Sequence, residues 1–191
     1  MNRKGFLEQL TLLGAGTLVV PSMLFQSCQS EPRVWNSLSS NDIVLLNALG
    51  ETILPKTEEL LGAQDINIGK YVLEIVNACL APEDKDTFLN GLTAIEALAL
   101  QDFGKPFEKL DEEKKYRLLR ILQDEAITFN EQQEDVLEPK IHYLSLLKEL
   151  VVSGYFTSKE ILREGFNYSP IPGRYQGCID FDHKLDKIYK G

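Results

Sequence analysis

From Ile43 to Val151 the apolar residues of this chain recur every three or four positions, and no stretch sustains period-two alternation. A chain patterned this way closes a core by packing helices, so the sequence predicts an all-α fold, a compact bundle of about five to six helices. Ser39, with Asp42 three residues on, caps a first helix carrying Ile43, Leu46, Leu49 and Ile53. Leu54-Pro55 ends it, because proline cannot donate and disfavours helical geometry in the residue before it. A second helix runs from about Ile68 to Leu80 with Ile68, Val72, Ile75, Val76 and Cys79 on one stripe, which puts Cys79 in the core. Pro82 opens a third, on which Phe88, Leu92, Ile95, Leu98 and Ala99 follow the helical period until Gly104-Lys105-Pro106 stops it. Asp111 caps a fourth whose Leu118, Ile121, Leu122, Ala126 and Phe129 face inward, while Glu112, Glu113, Lys114 and Lys115 make a solvated first turn. Pro139 opens a fifth along Ile141, Leu144, Leu147, Leu150 and Val151, ending near Gly154. Thr157 with Glu160 marks a short sixth that ends before Gly165. From Asn167 the pattern gives way to an irregular, aromatic-rich C-terminal tail.

The N-terminus has a different grammar. Arg3 and Lys4 form a positive head, Leu10 to Phe25 is a mildly apolar middle, and small or polar residues precede Cys28, the layout of an export signal. Arg3, Lys4, Phe6 and Leu7 resemble a twin-arginine signal, with Lys4 in place of the second arginine. Gly14, Gly16 and Pro21 interrupt the apolar middle, which favours a cleaved signal over a membrane-spanning helix. Leu24-Phe25-Gln26-Ser27-Cys28 looks like a lipoprotein box, in which Cys28 is the lipidation site. A cysteine placed there by chance is the equal alternative. The expected organisation is therefore an export signal over 1–28, a linker over 29–38 and a single helical domain over 39–191.

About 160 residues remain after the signal, enough for one core. The formal charge is −9, and losing Arg3, Lys4 and Glu8 with the signal removes two cations and one anion to leave −10. Such a domain repels nucleic acid and anionic lipid. The two histidines, His142 and His183, occur without HExxH, CxxC or CxxCH, and there is no P-loop or GxGxxG. No catalytic, cofactor-binding or metal-binding residues are assigned on this reading. His142 beside the Ile141 and Leu144 stripe reads as structural or exposed, and His183 as part of a solvated terminus. If Cys28 carries lipid, Cys79 and Cys178 remain; an oxidising compartment would permit a disulfide between them, and two separate thiols fit equally.

The segments Glu51-Thr-Ile-Leu-Pro55, Gly62-Ala63, Ile68-Gly69, Ser153-Gly-Tyr-Phe-Thr-Ser158 and Tyr168-Ser-Pro-Ile-Pro-Gly-Arg-Tyr-Gln-Gly-Cys178 resemble the gluconate 2-dehydrogenase subunit 3 family, over most of the chain from about Asp42 to Cys178. The chain departs from the family pattern at Lys56-Thr57-Glu58-Glu59, where a Pro-Gly usually follows a polar loop. The resemblance implies a small, noncatalytic helical subunit of a flavin-dependent sugar or polyol dehydrogenase. In that arrangement FAD and hydride transfer belong to a large partner of the glucose-methanol-choline oxidoreductase type. The small subunit carries the signal and assists its partner's folding and export to the periplasm. In that setting Tyr155, Phe156, Tyr168, Pro170, Pro172, Gly173 and Tyr175 are partner-contact candidates, because aromatic anchors lose little entropy on docking. The same aromatics could instead cover the open end of the helical core. A second function also stays open, a lipid-anchored helical periplasmic binding or structural protein without an enzyme partner.

Overall fold

The computed structural model describes residues 33–133 and 136–166. The chain divides into two units, Met1–Glu31 and Pro32–Gly191, and the described residues all belong to the second. They form six helices and no strand: α1 (Ile43–Ile53), α2 (Ile68–Ala78), α3 (Pro82–Phe103), α4 (Glu112–Glu131), α5 (Tyr143–Thr157) and α6 (Lys159–Glu164), with 3-10 turns at Ser40–Asp42 and Phe107–Lys109. The all-α bundle read from the periodicity is what forms. Its stops and starts have local causes. Pro82 begins α3 where a missing N–H costs nothing, and Gly104, with φ 66°, ends it in a left-handed cap. Asp111 accepts the Lys114 amide at 3.0 Å to start α4.

The core is assembled around α5, which packs against each of the other five helices. Its buried residues, Leu144, Leu146, Leu147, Leu150, Val151 and Tyr155 among them, cover more than one stripe, as a helix with neighbours on several sides requires. Onto it close Leu45, Leu46 and Leu49 of α1, Val72 and Val76 of α2, Phe88, Leu92 and Ile95 of α3, and Leu118, Leu122 and Ala126 of α4. Gly154 lies inside α5, not at its end, because the Tyr71 ring of α2 occupies the space that a Cβ there would need. The chain therefore continues helical to Thr157.

Several expectations are corrected. Part of the segment expected as linker belongs to the core: Trp35 is 8% exposed and Leu38 6%. The Trp35 indole N–H donates to Asp42 Oδ1 at 2.8 Å, and the Asn77 side-chain amide donates to the Leu38 carbonyl at 2.9 Å. Arg33 stacks over the Trp35 ring at 5.4 Å and bridges Glu96 at 3.2 Å and Glu108 at 2.7 Å. Cys79 is exposed, because α2 ends at Ala78 and the chain turns out of the apolar stripe there. On α4, Ile121 is 52% exposed and Leu119 takes an inward place, since the packed face centres on Leu118, Leu122 and Ala126. Pro139 does not open α5; that helix starts at Tyr143, capped by His142 Nδ1, which accepts the Leu144 amide at 3.2 Å. The cap of α6 is Ser158, whose Oγ accepts from the Ile161 amide, while the Thr157 hydroxyl donates back to Ser153.

Trp35→Ala removes a buried ring and the only indole donor to Asp42, so it is expected to lower the unfolding free energy by about 3–5 kcal/mol. Trp35→Phe keeps most of the volume and loses the hydrogen bond alone, at about 1–3 kcal/mol. Urea denaturation followed by far-UV circular dichroism distinguishes the two costs.

Candidate functional site

The loop from Leu54 to Asn67 joins α1 to α2 without regular structure of its own, and a single carboxylate organises it. Glu51, in the last turn of α1, accepts the Lys56 amide at 2.9 Å and the Gln64 amide at 2.8 Å. Two chain segments are thereby tied to one side chain. Gly62 packs directly beside it, and a Cβ at that position would displace the Glu51 carboxylate. The Ala63 amide donates to the Leu54 carbonyl at 3.0 Å, and Lys56 Nζ pairs with Asp65 at 3.1 Å, which closes the loop on itself. Asp65 also accepts the Gly62 amide at 3.1 Å. From the far side, the Tyr155 hydroxyl of α5 donates to the Leu61 carbonyl at 2.6 Å. Burial, with the Glu51 and Asp65 charges nearby, raises the Tyr155 pKa and keeps that hydroxyl a donor.

Next to this loop lies a cleft of about 380 Å³ between α1 and α4, lined by Glu51, Thr52, Pro55, Lys56, Lys115 and Tyr116 among others. A second cleft of about 200 Å³ adjoins it, with Ile53, Leu119, Leu144, Arg120 and Lys148 on its walls. Tyr116 belongs to both and is 62% exposed. Chemically the site offers cations, one large exposed aromatic ring and an apolar floor. Among the described residues, no group of three His, Cys, Asp or Glu side chains is placed to hold a metal ion.

The residues singled out from sequence are distributed unevenly over this geometry. Tyr155 is 4% exposed and is committed to the core and to Leu61, the core-covering role that the sequence left open for it. Phe156 is 43% exposed and stacks edge-on against Phe166, with ring centroids 5.9 Å apart. Arg3, Lys4, Phe6, Leu7, Cys28, Tyr168, Pro170, Pro172, Gly173, Tyr175 and Cys178 lie outside the described residues. Cys79, the other half of the disulfide pair considered, presents its thiol at the surface. His142 is structural. It is 5% exposed between the rings of Phe129 and Tyr143, and burial lowers its pKa against the opposing pull of Glu125. No sequence pattern marks Lys115 and Tyr116: Lys115 ends a charged first turn, and only the packing of α4 against α1 turns both residues into cleft walls.

Residues 40–173 match the family model for gluconate 2-dehydrogenase subunit 3. The chain belongs to that family. No curated protein and no solved structure matches the chain. The family is one of accessory subunits associated with a dehydrogenase complex. The geometry gives its short sequence motifs a physical meaning. Glu51 to Gly62 and Ser153 to Ser158, far apart in the chain, meet at one loop whose shape they jointly fix.

Glu51→Ala leaves the Lys56 and Gln64 amides without their carboxylate, and their hydrogen exchange should rise about 10-fold or more, while amides in the middle of α5 keep their protection. Hydrogen–deuterium exchange mass spectrometry reads both sets in one sample. His142 yields a pH prediction. Its folded pKa lies below the ordinary 6.5, so the unfolded chain binds its proton first as pH falls. The contribution is complete above that pH and is lost as pH falls below it, through the folded pKa. His142→Asn keeps a helix-capping side chain without the titration, so the fall in unfolding free energy between about pH 7.5 and 5 should be smaller than in the parent chain.

Proposed function

We propose that this chain is the noncatalytic small subunit of an exported, flavin-dependent sugar or alcohol dehydrogenase, and that it supplies the export signal for the complex. The family match over residues 40–173 carries the reading. The partner is a large subunit of the glucose-methanol-choline oxidoreductase type, which holds FAD and transfers hydride. Arg3, Lys4, Phe6 and Leu7 act as a twin-arginine-like signal for both polypeptides, and Cys28 carries a lipid that keeps the complex at the periplasmic face of a membrane. The physical logic is that the twin-arginine route moves folded cargo. A flavoprotein that takes up FAD inside the cell can leave it only folded, and a bound escort can provide the address. Two or more acyl chains on Cys28 would give a stable tether, since each buried CH₂ is worth about 0.8 kcal/mol and a single chain holds only marginally.

Deleting this chain in its source cells is expected to leave the flavoprotein inside the cell and to abolish dehydrogenase activity in the exported fraction. Replacing Arg3 and Lys4 with Gln should have the same effect with the domain intact. An exported, active flavoprotein in the deleted cells would overturn the escort role. It would favour the alternative of a lipid-anchored binding or structural protein. Metabolic labelling with a fatty acid tests the anchor, and the label should vanish in Cys28→Ser.

A further inference from the structure

The two clefts beside α1 adjoin, with Thr52 and Tyr116 lining both, and are taken together as one groove. Its charge is opposite to that of the molecule. The chain carries a formal −9, yet Lys56, Lys115, Arg120 and Lys148 line the groove against two carboxylates, Glu51 and Glu112. One of those carboxylates is engaged, since Glu51 already accepts two loop amides, and Lys56 is engaged by Asp65. What remains is a cluster of cations without acidic partners: among the described residues, no carboxylate comes within ion-pairing distance of Lys115, Arg120 or Lys148. The Lys148 ammonium is held at the rim by Gln123 Oε1 at 2.7 Å, while Ile53, Leu119 and Leu144 line the apolar wall below it.

We infer that this groove docks an acidic segment of the dehydrogenase large subunit, one whose carboxylates meet Lys115, Arg120 and Lys148 and whose apolar side chains pack on Tyr116 and the wall beneath. The inference rests on the subunit reading above and adds the face and chemistry of contact. Charge decides the occupant. Unpaired cations beside apolar surface are best matched by carboxylates carried on an apolar-containing strand or helix, and such pairing mainly sets encounter rate and register. The tail of this chain is a poor occupant, because residues 167–191 hold four Lys and Arg against three Asp. A second copy is the competing occupant, since Leu137 is 97% exposed beside Glu138 and in sequence follows Glu134 and Asp135.

The test uses the full chain, tagged and expressed in its source cells, with a photo-crosslinking phenylalanine analogue at Tyr116 and, separately, at Phe156. The Tyr116 position is expected to crosslink to the flavoprotein within a peptide rich in Asp and Glu. Lys115→Glu with Arg120→Glu should reduce recovery of the flavoprotein about 10-fold or more, and rising salt should weaken the parent complex more than any residual complex of the variant. Both substituted residues are surface groups, and circular dichroism of the variant is expected to match the parent. If the parent recovers the flavoprotein and the double variant recovers as much, or if only Phe156 crosslinks to it, the groove assignment is overturned and the subunit reading stands. A Tyr116 crosslink to a second copy, with dimers in light scattering that the double variant loses, overturns it in favour of self-association. If the parent chain recovers no flavoprotein, the subunit reading and the groove assignment fail together.

Discussion

Everything in the described domain is fixed by the burial of α5. A helix that touches five others cannot present one stripe to a core and one face to water, and its sequence does not try to: Leu144, Leu146, Leu147, Leu150 and Val151 spread apolar surface well beyond a single stripe. The neighbours supply narrower faces, each matched to the side of α5 it covers. Small residues set how closely they approach. At Gly154 the Tyr71 ring lies where a side chain would begin, which brings α2 onto the same turn of α5 that carries Tyr155. Tyr155 is thus held in the position from which its hydroxyl reaches Leu61 and clamps the loop. Packing of the central helix and the shape of a loop joining two others are one constraint.

Electrostatics finishes what packing begins. The α1–α2 loop is held by short-range turns of its own backbone and, beyond them, by side chains: Glu51 meets the Lys56 and Gln64 amides, Asp65 pairs with Lys56, and Tyr155 meets the Leu61 carbonyl. Hydrogen bonds to charged acceptors are worth about 1.5–3 kcal/mol each, more than neutral ones, so one carboxylate can order a segment of irregular chain. The loop also holds its form locally at Lys56-Thr57-Glu58-Glu59. The Thr57 hydroxyl accepts the Leu60 amide at 3.0 Å, and the Thr57 amide donates to the Leu60 carbonyl at 3.0 Å, so a side chain and a tight turn hold the segment.

The helices were legible in sequence because their apolar residues keep a period near 3.6 and several ends carry a chemical mark: Pro55 and Gly104 as stops, Pro82 and Asp111 as starts. Helix ends were less legible where the decisive partner lies elsewhere in the chain. Gly154 reads as a terminator until Tyr71 is placed against it, and Cys79 reads as core until α2 ends one residue before it. Trp35 and Leu38 stand in a polar stretch with no periodicity to betray them, and their burial depends on Asp42 and Asn77. The groove was hidden for the same reason. Lys115, Tyr116, Arg120 and Lys148 lie on two helices and have no pattern as a set, so tertiary packing alone makes them neighbours.

The attachment of Arg33 and Trp35 carries the most weight for a chain read as an escort. Glu96 is 2% exposed, and a buried carboxylate is costly unless paired. Its partners are the Phe107 amide at 3.2 Å and the Arg33 guanidinium, which also holds Glu108. Asp42 is similar. Burial works against its charge, and bonds from Trp35 and Ser39 overcome this and hold the carboxyl below its usual 3.8. The two acids that the core buries most deeply are therefore satisfied in large part by Arg33 and Trp35, residues of the segment expected as linker. A segment that would serve only as a spacer has no need of such contacts. These contacts make the segment part of the fold, and the burial of Glu96 and Asp42 depends on it.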